Sequence, residues 1–151
     1  MKPAGRRRAL ARLAALALAP ALPSPARAMS DFSRYAWLEI TRGRPVWKGR
    51  VELELPENVE NGNSVPVTVR VAGPSAGRER VLRLHLVSEI NPYPLIFTWE
   101  LRSPDVPAEF STRIRLAGTQ QLHAIAETAD GALWIDSRTA TVTVAACFDA
   151  S

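Results

Sequence analysis

Residues 65–71 read VPVTVRV, and in this stretch four valines stand at every second position. Successive side chains of a β-strand point to opposite faces, so the stretch predicts a strand with one apolar face. Seven further segments show the same alternation, at residues 51–55, 82–86, 95–101, 110–116, 122–126, 133–135 and 140–144. About eight strands within roughly 95 residues is a density typical of a β-sandwich.

Residues that reverse the chain lie between these segments, at Asn61-Gly62-Asn63, Gly73-Pro74, Asn91-Pro92, Ala117-Gly118 and Asp130-Gly131. Such pairs favour tight turns and hairpins. After Gly43 no helical pattern of ten or more residues occurs, which argues against parallel strands joined by crossover helices. The sequence therefore predicts an all-β fold, an antiparallel immunoglobulin-like β-sandwich. Because Cys147 is the sole cysteine, the disulfide that joins the sheets of antibody domains is excluded.

A short N-terminal helix is predicted to precede the strands, from Asp31 to about Arg42. Ser30 is a suitable N-cap and Gly43 a suitable end. One face of the helix carries apolar residues at spacings of three and four, namely Phe32, Tyr35, Ala36 and Ile40. Aromatic residues on short helices and strand ends are more often core than interface. Core is therefore the prediction, and an interface the alternative, for Tyr35, Trp37, Trp47 and Tyr93.

The first 28 residues are predicted to be an export signal, with a basic start, an apolar run over residues 13–22, and small residues at Ala26 and Ala28. The apolar run is shorter than the roughly 20 residues of a transmembrane helix, so no membrane span is expected. Three arginines at residues 6–8 resemble a twin-arginine signal, and ordinary secretion is the alternative. Residues 29–151 are then expected to form one exported domain.

The basic character of the chain lies mostly in this leader. Six of the nineteen Lys and Arg residues, and none of the fifteen Asp and Glu residues, fall within residues 1–28. The remaining chain has thirteen basic and fifteen acidic residues, a net charge of −2. A sequence pI near 10.0 therefore does not indicate a nucleic-acid partner, because the segment that carries the excess charge is expected to be removed.

Residue patterns typical of catalysis or metal binding are scarce. His85 and His123 are the only histidines, and each lies on a predicted strand, outward from the main apolar set. Because no nucleophile motif accompanies either, both are predicted to be surface histidines without a catalytic role. Nothing resembles paired cysteines or a His-x-x-x-His spacing, so no bound metal is expected. The carboxylates of Glu52, Glu54 and Glu57 are predicted to be the solvated side of a strand. The sequence nominates no catalytic residue, and we expect no enzymatic activity.

Cys147 is the one residue whose position suggests chemistry. A sole cysteine in an exported chain has no intramolecular partner in an oxidising compartment, which favours intermolecular pairing or reactivity. It lies three residues past the last predicted strand, so an extended chain would place its sulfur roughly 10 Å beyond the sheet. The pattern predicts a flexible C-terminal arm at residues 145–151 with a thiol near its tip. An incidental thiol is the alternative.

Five ordered stretches of the chain resemble the SoxY family, the sulfur-carrier subunit of the periplasmic thiosulfate-oxidising (Sox) system. The most specific is ENGNSVPVTVRV at residues 60–71, and STRIRLAGTQ at residues 111–120 is a second close match. The others are HLVSEINPYP at residues 85–94, the Asp130-Gly131 turn leading to Trp134, and TVTVAAC at residues 141–147. Together they extend over nearly the whole chain after the leader.

The resemblance implies a periplasmic, non-enzymatic sulfur carrier that forms a heterodimer with SoxZ, a second small sandwich protein. Sulfur intermediates are attached covalently to a cysteine in the family's C-terminal tail, and that cysteine matches Cys147. A haem enzyme joins thiosulfate to the thiol, a hydrolase releases sulfate, and a molybdenum sulfane dehydrogenase oxidises the remaining sulfur. The carrier itself then needs no cofactor besides the covalently bound sulfur on Cys147. A twin-arginine signal also fits, because a folded pair can export a subunit that lacks its own signal.

The tail departs from the family pattern, in which glycines flank the cysteine as Gly-Gly-Cys-Gly-Gly. Here residues 145–149 read Ala-Ala-Cys-Phe-Asp. Alanine restricts the backbone more than glycine, Phe148 adds a bulky ring, and Asp149 is expected to disfavour the thiolate. Two alternatives therefore keep the fold and change the role. One is a carrier in another sulfur pathway, and the other is a SoxY-like periplasmic adaptor that binds a redox partner without covalent cargo.

Overall fold

The computed structural model describes residues 30–74 and 76–148 of the 151-residue chain. The predicted export signal at residues 1–28 and the last three residues of the predicted arm lie outside the described residues. Within the described part, no helix is both long and apolar enough to cross a membrane.

The predicted N-terminal helix is present as α1, Asp31–Thr41. The Ser30 hydroxyl oxygen accepts a hydrogen bond from the Ser33 backbone N–H, so Ser30 is the N-cap, as predicted. At the other end Arg42 adopts the left-handed conformation, with φ at 50°, and its N–H donates to the Leu38 carbonyl. This contact satisfies one of the last carbonyls of the helix and ends it one residue earlier than the sequence predicts.

In the described part of the chain, nine strands follow the helix. Their bounds are β1 Val46–Trp47, β2 Val51–Glu54, β3 Asn58–Asn61, β4 Val65–Val71, β5 Val81–Ser88, β6 Leu95–Glu100, β7 Glu109–Ile114, β8 Gln120–Thr128 and β9 Leu133–Val144. The segments predicted at residues 133–135 and 140–144 are one continuous strand, β9. Two short strands, β1 and β3, were not predicted, because β1 has two residues and only Val59 of β3 is buried.

The strands form a sandwich of two sheets. One has the order β1-β9-β8-β5-β6, with β3 also pairing with β9, and the other has the order β2-β4-β7. The pairs between the long strands are antiparallel, which confirms the predicted antiparallel β-sandwich. The two unpredicted strands differ, because both β1 and β3 pair with β9 in parallel.

The main core fills the space between the two sheets. The apolar side of β4, with Val65, Val67 and Val69, faces the inward side of β5 and β8, with Leu84, Leu86 and other buried residues. A smaller second core lies under α1, on the other side of the β5-β8-β9 sheet. It consists of Ala36, Ile40, Val87, Ile125, Leu133 and Ile135. Strands β5 and β8 are therefore covered on both sides.

Side chains of β9 close one flank of the sandwich, where β2 and β9 lie beside each other without a backbone ladder. The Leu53 backbone N–H donates to the Asp136 carboxylate at 3.0 Å, and the Leu53 carbonyl accepts from the Arg138 Nε at 3.2 Å. These two side chains satisfy backbone groups of β2 that would otherwise lie on a free edge.

Candidate functional site

The candidate site lies where the chain leaves β9 at the end of the sandwich. The Cys147 side chain is exposed, three residues past Val144, and it is the only cysteine of the chain. Phe148, the next residue, is partly buried. Asp149 lies outside the described residues, so its predicted effect on the thiolate stays a prediction.

Three backbone hydrogen bonds hold the root of this tail. The Gly62 N–H donates to the Val144 carbonyl, the Leu116 N–H donates to the Gly62 carbonyl, and the Ala146 N–H donates to the Leu116 carbonyl. Each has an N···O distance of 2.8 Å, and the Ala146 side chain is only 7% exposed. We call these three bonds the tail clamp. They shorten the predicted arm of residues 145–151, because the backbone is held on the sandwich through Ala146 and is free of these bonds only from Cys147 onward.

The clamp depends on the absence of a side chain at Gly62. A Cβ atom there would lie 2.5 Å from the Leu116 carbonyl oxygen and 2.9 Å from the Ala146 nitrogen. Both atoms belong to the backbone, so neither can move aside as the end of a long side chain would. Glycine is therefore needed at position 62 because backbone segments of the chain approach each other closely there, rather than because the turn has an unusual conformation.

A buried polar pair supports the other side of the clamp. The Asn91 side chain donates to the Arg115 carbonyl at 2.9 Å and accepts from the Ala117 N–H at 3.0 Å, and so it brackets Leu116. The Gln120 amide nitrogen donates to the same Asn91 oxygen at 2.9 Å, and its oxygen accepts from the Ile90 N–H. Both side chains are buried, so these bonds replace those that water would otherwise provide.

Sequence reasoning singled out Cys147 and missed the residues that hold its tail. The supporting residues Gly62, Asn91 and Gln120 occur within the stretches at 60–71, 85–94 and 111–120 that resemble the SoxY family. The fold brings those separate stretches together at the root of the tail. The sequence feature that could have pointed to these residues is that three of the stretches resembling the SoxY family each contain a turn.

The predicted surface position of the two histidines is wrong. His85 and His123 are 7% and 8% exposed, because α1 and its small core cover the outward side of β5 and β8. The Nδ1 of His85 lies 2.9 Å from the Thr98 hydroxyl, and that of His123 lies 2.8 Å from the Ser137 hydroxyl. The other ring nitrogen of His123 is 3.6 Å from a Glu89 carboxylate oxygen. Each histidine is therefore held by a side-chain hydrogen bond to a neighbouring strand, His85 to β6 and His123 to β9.

The buried histidines predict a pH dependence of stability. Burial lowers the pKa of His85 and His123 below the usual 6.5, against the opposing charges of Glu127 and Glu89. As the pH falls, the unfolded chain binds protons before the folded one does. We therefore expect the free energy of unfolding to be highest, as far as the histidines determine it, above about pH 6.5. At lower pH it should decrease, as the pH approaches and passes the folded pKa values.

Urea unfolding between about pH 8 and pH 5 measures this loss, which is at most about 1.4 kcal/mol per pH unit for each histidine. The double variant His85→Gln, His123→Gln serves as the control and should show a flatter profile over this range. An equal slope in both proteins would assign the pH dependence to other groups.

Aromatic residues predicted to be core are mostly at the surface. Tyr35, Trp47 and Tyr93 are exposed, so the prediction is wrong for these three. Trp37 is partly buried and packs its ring edge-on against His123, with ring centroids 5.8 Å apart. For Tyr35 the reason is geometric, because α1 buries the side that carries Ala36 and Ile40 and Tyr35 lies on the opposite side.

The carboxylates predicted to be solvated, Glu52, Glu54 and Glu57, are exposed as expected. Among residues 30–74 and 76–148, no group of three or more His, Cys, Asp or Glu side chains is placed to hold a metal ion.

Comparison with solved structures shows which proteins share this sandwich. The sulfur carrier protein SoxY from Chlorobium limicola f thiosulfatophilum matches with a TM-score of 0.60 and 23% sequence identity, over 74% of this chain and 95% of that chain. A superoxide reductase (neelaredoxin) variant from Ignicoccus hospitalis matches with a TM-score of 0.57 and 15% identity, over 64% and 94%. A putative superoxide reductase from Thermotoga maritima matches with a TM-score of 0.53 and 17% identity, over 68% and 89%. At these identities the likeness shows a common fold.

A comparison with sequence models of protein families identifies the family of this chain. The model described as "Sulfur oxidation protein SoxY" matches residues 39–147, from within α1 to Cys147 itself. A search of curated proteins finds no match. The family match covers more than half of the chain and confirms the resemblance read from the sequence. The chain therefore belongs to the SoxY family of sulfur oxidation proteins.

Proposed function

We propose that the protein is a sulfur carrier of thiosulfate oxidation, which holds covalent sulfur intermediates on Cys147 and presents them to partner enzymes. The observation that carries the proposal is the position of the thiol. Cys147 is exposed at the end of the sandwich, just beyond a clamped backbone, and the family match ends on this residue. A thiol placed in this way is accessible to a second protein and has no competing thiol in its own chain.

The proposed loading step needs an external oxidant. The thiol and thiosulfate join through a new S–S bond, and one proton and two electrons leave, the electrons passing to a haem enzyme. Hydrolysis then replaces the terminal sulfonate with hydrogen, so that sulfate departs and a persulfide remains on Cys147. A molybdenum sulfane dehydrogenase would oxidise that remaining sulfur. The carrier supplies the thiol and a docking surface, and the partners supply the redox chemistry, in keeping with a protein that is not itself an enzyme.

The proposal includes a SoxZ-like partner subunit and a periplasmic location. The family membership supports the partner, and the leader at residues 1–28, with its arginines at residues 6–8, supports twin-arginine export. Exposed aromatic and apolar residues on the sandwich, such as Tyr93 and Val144, are of the kind that protein interfaces bury.

Intact-mass measurement of the protein in its complex with a SoxZ-like subunit tests the proposal. The complex is incubated with thiosulfate and the oxidising haem enzyme, and the C-terminal peptide is then mapped. We expect added mass on the peptide that contains Cys147, reversible by a thiol reductant. A sample whose thiol is first blocked with iodoacetamide is the control. If the complex forms and no mass is added, the adaptor without covalent cargo becomes the better description.

A further inference from the structure

We propose that Gly62 is a positioning residue for Cys147: it allows the tail clamp to close and so fixes the distance of the thiol from the sandwich. The inference rests on the proposed carrier function and adds to it a residue that sets the length of the arm. Gly62 is the centre of the clamp, since its N–H binds Val144 and its carbonyl binds Leu116. Its turn, Asn61 to Asn63, is exposed on either side, whereas Gly62 itself is buried.

A methyl group at position 62 must displace either Leu116 or the tail, and the structure indicates which of them yields. Leu116 is 0% exposed in the main core, and the carbonyl and N–H on either side of it are held by Asn91. Beyond Ala146, the two described residues of the tail, Cys147 and Phe148, make no backbone hydrogen bond to the sandwich. The substitution Gly62→Ala is therefore expected to break the bonds from Gly62 to Val144 and from Ala146 to Leu116, and to release the tail from the sandwich.

The clamp has a consequence for the partners of the thiol. With Ala146 held, Cys147 is the first residue past the anchored backbone, and one extended residue spans about 3.5 Å. An enzyme that acts on the thiol must then contact the sandwich around the tail root, on the turns that contain Gly62 and Gly118. A tail released back to Val144 would reach about 10 Å from its last anchored residue, instead of about 3.5 Å, but would lose its fixed direction.

A nitroxide label on Cys147 tests the clamp without any sulfur cargo, because this is the only cysteine to be labelled. We expect a restricted spectrum for the native sequence and a markedly more mobile one for Gly62→Ala. Amide hydrogen exchange at Ala146 should be at least about tenfold faster in the variant, which corresponds to the loss of one to two hydrogen bonds.

The matched control is Gly131→Ala, at the opposite end of β9. Gly131 has a φ of 86°, so alanine there is strained, yet the nearest atom to an added Cβ is the Arg44 Nη1 at 3.8 Å. The 12-residue strand separates this turn from the tail by about 40 Å. The control should lose stability and leave both the label and the Ala146 amide unchanged. Equal label mobility and equal exchange in the two variants would overturn the clamp.

Two rates connect the clamp to function. Alkylation of Cys147 by a small reagent should be within about twofold in the native protein and in Gly62→Ala, because the thiol is exposed in both. Enzymatic loading with thiosulfate should fall at least about tenfold in Gly62→Ala and not in Gly131→Ala, because orientation is lost. Undiminished loading in a variant with a mobile label would overturn the positioning role. Absence of loading in every variant, including the native sequence, would instead overturn the carrier function and leave the label result standing.

Discussion

Replacement of Cys147 by serine is expected to abolish covalent sulfur loading completely while leaving the fold and the partner complex intact. A serine hydroxyl forms no stable bond to sulfur of the kind that the thiol forms, and no other cysteine exists in the chain to replace it. The side chain is exposed, so the change in the free energy of unfolding should stay within about 0.5 kcal/mol. Intact mass after incubation with thiosulfate and the oxidising enzyme gives the result directly.

The variant Ala145→Ser is the matched control for Cys147→Ser. It introduces the same hydroxyl two residues earlier, at an exposed position, and retains the thiol. It should load as the native protein does. Added mass on Cys147→Ser would show that the cargo sits on another side chain. Loss of loading in both variants would point to disturbance of the tail backbone rather than to the chemistry of the thiol.

Replacement of Asn91 by leucine is expected to lower the free energy of unfolding by about 3 kcal/mol. The substitution keeps the volume of the buried side chain and removes all its hydrogen-bonding capacity. The Arg115 carbonyl, the Ala117 N–H and the Gln120 amide would lose their partner in a site closed to water. Unfolding by urea or guanidinium, monitored by tryptophan fluorescence, measures the loss.

The variant Asn63→Leu provides the comparison for Asn91→Leu. Asn63 is exposed, and its side chain donates only to Asn61 in its own turn. Its replacement should change the free energy of unfolding by about 0.5 kcal/mol or less. If Asn91→Leu were as stable as Asn63→Leu, water or a shifted backbone would have to satisfy the three groups, and the support of Leu116 described above would be incorrect.

Much of the sandwich follows from alternation, and the exceptions have a common physical cause. Strands β4 and β7 have one solvated side, so their apolar residues recur at every second position and predict them well. Strand β3 contributes mainly backbone hydrogen bonds to β9, and its polar residues Asn58, Glu60 and Asn61 carry no apolar pattern. Pairing between segments so distant in the chain depends on the assembled fold, which a local pattern does not contain.

The histidines illustrate a second limit. His85 and His123 were predicted to lie at the surface, because each is on a strand outward from the main apolar set. The outward side is instead covered by α1, and His85 and His123 lie beneath it. The helix was predicted at its correct place in the sequence. Its packing over the sheet is a tertiary contact that the local sequence pattern does not contain. This packing buries residues that are far away in the chain.

The candidate site likewise has one part that the sequence predicts and one part that it does not. Cys147 was found from the number of cysteines and the position of the last strand, both of which the sequence states directly. The tail clamp was not found, because its bonds join backbone atoms of residues 62, 116, 144 and 146 and require no particular side chain except the absence of one. Gly62 was interpreted as a turn glycine, although the structure shows that it is needed for close contact between backbone segments.

Strand β9 also determines how the protein bears a mechanical load. Under the proposed carrier function, a partner enzyme that binds Cys147 would pull on the chain along the axis of β9, which is paired with β8 on one side and with β3 on the other. The hydrogen bonds of a sheet run across the strands, so such a pull loads them in shear and they must yield together rather than one after another. We therefore expect β9 to stay paired in the sandwich when a partner binds the thiol.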